Sequence, residues 1–109
     1  MKKVKISIAK QFSKTPAGRF YDDGEYSGQR FRDEFLTVNL KNPDIDVVEI
    51  DLNGLDGIGS SFWDEAFAGL VFAEKIPLET LDKKLELVCD DDKTLIPLIR
   101  SYIKEATNG

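Results

Sequence analysis

The sequence predicts one α/β domain, residues 1–109, with a mixed or parallel sheet covered by helices. Three observations carry this prediction. Val4, Ile6 and Ile8 alternate with Lys3, Lys5 and Ser7, the period of a half-buried strand. Two dense apolar runs, Val47-Val48-x-Ile50-x-Leu52 and Leu85-x-Leu87-Val88-Cys89, read as buried strands. Between and after them, apolar residues recur at helical spacing, so the order is β–(β)–α–β–α–β–α. Strands alternating with helices of ten or more residues need crossover connections. A chain of 109 residues is long enough for one such core and too short for two.

Each element has its own signals. The first strand is followed by a turn-rich stretch holding Pro16, Gly18, Gly24 and Gly28, in which Phe20, Tyr21 and Tyr26 offer surface to bury. A short second strand over residues 19–21, in a hairpin with the first, is one expectation there. Ser27 is placed to cap a helix over about residues 28–40, with Phe31, Phe35, Leu36 and Leu40 inward and Arg30, Arg32, Asp33 and Glu34 outward. Asn42-Pro43 ends it. The strand over residues 47–52 feeds the loop NGLDGIG, where Gly54, Gly57 and Gly59 open backbone angles that a Cβ forbids. Ser60 or Ser61 then caps a helix. With Ser61 as the cap, Asp64 stands where a capping box needs a carboxylate. Phe62, Ala66, Phe67, Leu70 and Val71 line one face of that helix, and small Ala68 and Gly69 invite a close neighbour. Pro77 breaks it, and residues 78–84 read as a helical connector. The last helix spans about residues 94–106, with Pro97 in its first turn, where the missing N–H costs little.

Composition narrows the function. The formal net charge is −5, from 15 basic and 20 acidic side chains, which speaks against a nucleic-acid partner. Residues 1–20 nevertheless carry six basic side chains and no acid. That is either a solvated first strand on an acidic body or a basic edge that meets an acidic partner. With no histidine, Ser–His and Cys–His nucleophile pairs and His-ligated metals are excluded. The single cysteine, Cys89, cannot form an intrachain disulfide, which suits a reducing cytoplasm, and it reads as a small buried hydrophobe. No signal peptide and no apolar run of membrane-spanning length are indicated.

No catalytic constellation, cofactor or metal site is diagnostic. The glycine loop lacks the lysine of a P-loop, and Phe62 stands where a dinucleotide fingerprint needs its third glycine. Asp90, Asp91 and Asp92, alone or with Asp51 and Asp56, form a weak Mg²⁺ alternative to simple helix-dipole partners.

The segments Ala17–Arg19, Ser27–Arg32 and Gly59–Leu70 (AGR, SGxxFR and GSSFxxEAFxGL) resemble, in order, those of a STAS-like domain family of unknown function, related in fold to anti-sigma factor antagonists. The resemblance extends over nearly the whole chain. It implies a mixed sheet of four to five strands with about three to four helices packed mainly on one face. It also implies a non-enzymatic, cytoplasmic, regulatory protein–protein interaction module. Its partner would be a GHKL-type ATPase or anti-sigma-like kinase. In anti-sigma factor antagonists a serine of a D-S-S-G motif at this junction is phosphorylated; aligned on the serines, Ser60 is the acceptor and Ser61 its neighbour. Gly59 and Phe62 replace the motif's aspartate and glycine. The expected partner face comprises Asp56, Gly57, Gly59, Ser60, Ser61, Trp63 and Asp64, with an exposed Trp63 as anchor. Two other classes compete: an acidic inhibitor or mimic of phage or mobile-element origin, and a nucleotide- or ligand-binding domain using the glycine loop and Asp90–Asp92.

Overall fold

A computed structural model describes residues 1–108. Strand β1 (Lys3–Ser7) runs straight into a helical turn, α1 (Ile8–Gln11), whose cap is the Ser7 side chain accepting the Lys10 N–H. Helix α2 occupies residues 28–40 and strand β2 is Val47–Asp51. Helix α3 occupies residues 60–72, α4 is Leu78–Lys84, β3 is Leu85–Val88 and α5 is Leu95–Asn108. No helix among the described residues is long and apolar enough to cross a membrane.

The sheet has three strands in the order β1-β2-β3, and both ladders are parallel. The expected four to five strands of mixed direction are therefore not what forms among the described residues. The strand foreseen over residues 19–21 is absent, because its backbone donors are already used. The Asp23 carboxylate accepts the N–H groups of Arg19 (3.1 Å) and Phe20 (2.8 Å), and Gln29 Oε1 accepts that of Tyr21 (3.1 Å). A single 3₁₀ turn, Tyr21–Asp23, results.

Helices cover one face of the sheet, as expected. The register aligns Val4 with Val48 and Leu85, and Ile6 with Ile50 and Leu87, on the face that meets them. The opposite face carries Lys3, Lys5, Glu49 and Glu86, with Lys3 Nζ 3.0 Å from Glu49 and 3.3 Å from Glu86. Such exposed pairs contribute little stability. Helix α3 packs against both α2 and α5, and its Phe62, Ala66, Phe67 and Leu70 are fully buried.

Helices α2 and α3 each contain a wide, π-helical stretch: Arg32–Thr37 in α2 and Asp64–Ala68 in α3. The two helices approach so closely that a Cβ on Gly28 would sit 2.6 Å from the Phe62 carbonyl oxygen. The obstacle is backbone and cannot swing away. Gly28→Ala is therefore expected to destabilise the fold by about 1–3 kcal/mol, the range of an overpacked core, read as a lower midpoint in urea unfolding with an unchanged slope.

Candidate functional site

The C-terminal ends of β2 and β3 lie side by side, and the loops leaving them are pinned together. Leu52 N–H donates to the Val88 carbonyl at 2.8 Å. Asn53 Oδ1 accepts the N–H groups of Asp90 (2.7 Å) and Asp91 (3.1 Å), while its Nδ2 donates to Asp51 Oδ1 at 2.9 Å. Asp91 Oδ2 accepts the Gly54 N–H at 2.9 Å. Asp92 Oδ1 accepts the Thr94 hydroxyl (2.6 Å) and N–H (3.0 Å), which holds its carboxyl below the usual range. The acidic triplet thus braces two loops, and no three His, Cys, Asp or Glu side chains among the described residues converge on a common metal position. On its other side the glycine loop is tied to residue 14, whose carbonyl accepts the Asp56 N–H at 3.1 Å. Gly54 (φ 81°) and Gly57 (φ 51°) adopt the left-handed angles this path needs.

The loop delivers the chain into α3 one residue earlier than the sequence suggested. Gly59, in extended conformation, is the N-cap and offers no side chain, so Ser60 and Ser61 are the first two helical residues. Neither serine is a cap; both are exposed. Asp64 does not close a capping box either. Its carboxylate lies 2.7 Å from Arg19 NH1. Asp56, Gly57, Gly59, Ser60 and Ser61 form one exposed strip, with Asp64 half-buried at its edge.

Trp63 does not belong to that strip. It is 2% exposed, edge-on to Phe62 (centroids 5.2 Å apart) and tilted against Phe67 (6.0 Å). It cannot anchor a partner, because it already completes the core. Phe20 and Tyr21, which follow Asp64's partner Arg19 in the chain, are each 49% exposed rather than buried as expected. Tyr21 is held by its hydroxyl, which donates to Asp33 Oδ2 at 2.8 Å, and that bond raises its pKa.

Beneath this surface lies an ion-pair chain. Arg32, expected outward, is 4% exposed, and Glu65 3%. Arg32 NH1 donates to the Glu65 carbonyl (2.5 Å) and to Glu65 Oε2 (2.7 Å), and Arg32 Nε donates to Glu74 Oε2 (3.2 Å). Arg19 NH1 extends the chain to Glu65 Oε1 at 3.5 Å. A Cβ on Gly69 would strike the Arg32 guanidinium, so Gly69 is the small residue that lets this arginine in. The three segments quoted from the sequence (AGR, SGxxFR and GSSFxxEAFxGL) therefore meet at one place, through Arg19, Arg32 and Glu65. That meeting was the signal available for these residues: each arginine ends its segment, and Glu65 is the fixed acid of the third.

Removing one member of a buried ion pair costs about 3–5 kcal/mol, whereas replacing both by apolar groups is close to neutral. Glu65→Leu is accordingly expected to fall in that range by urea unfolding, with Arg32→Met/Glu65→Leu recovering most of the loss. Cys89 offers a second check. Burial raises its thiol pKa, and the thiol donates toward Asp91 Oδ1 at 3.3 Å. Thiolate is the reactive form, so a disulfide reagent at pH 7 is expected to label native Cys89 more slowly than the urea-unfolded chain; equal rates would contradict this environment.

No curated protein and no solved structure matches the chain. A family model does match, over residues 27–94, a span that includes Ser27–Arg32 and Gly59–Leu70 but starts after Arg19. The match is shorter than the nearly whole-chain likeness drawn from the sequence, yet it takes in more than half of the molecule, including α2, β2, α3, α4 and β3. The chain belongs to the STAS-like domains of unknown function (DUF4325).

Proposed function

We propose that the protein is a small, non-enzymatic regulatory module that docks on another protein through the start of α3 and the loop beside it. The observation that carries this reading is a rigidly braced strip with open hydroxyls at Ser60 and Ser61. Exposed Phe20 and Tyr21 follow Arg19 in the chain, and Arg19 is tied to α3 by its pair with Asp64. Aromatic side chains ringed by polar ones are the usual energetic centres of interfaces. By kinship to anti-sigma factor antagonists, the partner is a GHKL-type ATPase or anti-sigma-like kinase.

Serine phosphorylation fits the same surface. A phosphoryl group on Ser60 or Ser61 would lie at a helix N-terminus that no side chain caps, where backbone N–H groups and the dipole favour an anion. It would add roughly −1.5 to −2 charge beside Asp64 and Asp56 and change what the strip attracts without disturbing the core.

The test pairs the protein with the GHKL-type ATPases of its native host. Phe20→Ala/Tyr21→Ala is expected to weaken binding by about 2 kcal/mol or more, the scale of an interface hot spot, while Val38→Ala, exposed on α2, leaves it unchanged. Intact-mass measurement after incubation with partner and ATP is expected to show one phosphoryl group, lost in Ser60→Ala or Ser61→Ala. Failure of every such ATPase to bind, or binding indifferent to Phe20 and Tyr21, would sink the reading.

A further inference from the structure

A three-stranded sheet has two edges, and here they differ. At the outer edge of β3 the Leu85 N–H donates to the Leu81 carbonyl, and the Leu85 carbonyl accepts Arg100 NH2 at 2.7 Å. Strand β1 has no such cover. Its Lys2 carbonyl accepts the Val47 N–H, which fixes the frame: Val4 and Ile6 turn their backbone groups toward β2, and Lys3, Lys5 and Ser7 turn theirs away. The Ser7 N–H is taken by Gln11 Oε1 at 2.6 Å. The N–H and carbonyl of Lys3 and of Lys5 have no partner on that side among the described residues.

The charge at this edge is of one sign. Residues 1–20 carry six basic side chains and no acid. Lys3 pairs with Glu49 and Glu86, and Arg19 with Asp64 and Glu65. Lys2, Lys5, Lys10 and Lys14 are exposed and form no ion pair among the described residues. Glu49 stands opposite Lys5 in the register, but its carboxylate lies 3.0 Å from Lys3 Nζ instead.

We infer that the free edge of β1 is a docking site for an extended acidic segment of a partner protein, which joins the sheet as a fourth strand. Open backbone donors and acceptors supply affinity, and side chains at alternate positions supply selectivity. Residues directly opposite one another share a face of the sheet. An acid of the added strand therefore lies opposite Lys5 on the helix-free face. Its two neighbours in sequence face the helices beside Val4 and Ile6, and are apolar. Lys2 and Lys10, before and after β1 in the chain, receive further acids. A second copy of this chain is not the occupant. Two β1 edges side by side would set lysine against lysine, and like charges directly opposite are destabilising. The lysines thus turn away the chain's own edge and admit a strand of opposite charge. This edge shares no residue with the strip at the start of α3, so the inference does not rest on the regulatory reading and either can fail alone.

The probe is an acetylated and amidated heptapeptide, Ser-Glu-Val-Glu-Val-Glu-Ser, titrated into the whole chain at pH 7 and low salt. The same peptide with glutamine or lysine in place of glutamate is the control. In the free protein the amide protons of Val4 and Ile6, bonded to β2, are expected to exchange slowly with solvent, and those of Lys3 and Lys5 quickly. Saturating acidic peptide is expected to protect Lys3 and Lys5. It is expected to bind at least about tenfold tighter than the glutamine peptide, the scale of a few exposed ion pairs together, and the lysine peptide is expected not to bind. Lys2→Gln/Lys5→Gln removes most of that advantage while Val4 and Ile6 stay protected, which reports an intact sheet. Methylating the peptide's backbone nitrogens at alternate residues is expected to abolish binding in one frame and spare it in the other, because only every second N–H meets the edge. No saturable protection of Lys3 and Lys5, equal protection by the acidic and lysine peptides, or indifference to the methylated frame would each overturn the assignment and leave the lysines as guards of a bare edge. Protection of Lys3 and Lys5 in a dimer of the free chain would overturn it too.

Discussion

The ion pair between Arg32 and Glu65 decides how the rest of this molecule is arranged. A charge taken out of water costs several kcal/mol, even inside a protein that relaxes around it, and returns that cost only when its partners are close and well aimed. Arg32 meets this condition with a backbone carbonyl and two carboxylates. The demand fixes the separation of α2 and α3 and requires hydrogen in place of a side chain at Gly28 and Gly69. It also explains why the surface and the interior are linked. Arg19 reaches the same Glu65 and carries with it the loop that holds Phe20 and Tyr21 in the open.

A second set of constraints acts at the sheet's C-terminal end. There, single side chains do the work that a longer sheet would do with backbone. Asn53 serves two N–H groups of the neighbouring loop, Asp91 returns a bond to Gly54, and Asp92 closes the turn into α5. Glycines set the path of the loop, but these polar contacts hold it. The loop consequently has two sides, one toward solvent and one toward the turn after β3, and the two share the same backbone.

Much of the fold was legible in the sequence because it depends on local rules. Alternation marked β1, dense apolar runs marked β2 and β3, Ser27 capped α2 as its type suggested, and Pro77 fell at a break. The errors have a common origin. Arg32 read as outward because an arginine is seldom buried without a partner, and its partner lies in another helix. Trp63 read as an anchor because it adjoins Asp64, yet the step from Phe62 to Trp63 keeps both rings in the core. The proposed strand at residues 19–21 lost its donors to Asp23 and Gln29. Gly59 displaced the serines as cap through an extended backbone that residue type alone does not specify. Of the candidate site, the exposed strip from Asp56 to Ser61 was visible beforehand. The exposure of Phe20 and Tyr21 was not, since it follows from which segments meet.

The parallel sheet bears on how this chain acquires its shape in the first place. Strand partners are distant in sequence, Lys3 with Val47 and Val48 with Leu85, and no hairpin among the described residues can form early and locally. Each ladder waits for a long loop to close. During synthesis β2 emerges with only β1 to pair with and keeps its other edge bare until β3 and α5 have left the ribosome. The central strand, the most buried of the three, keeps that edge open to wrong partners until β3 pairs with it.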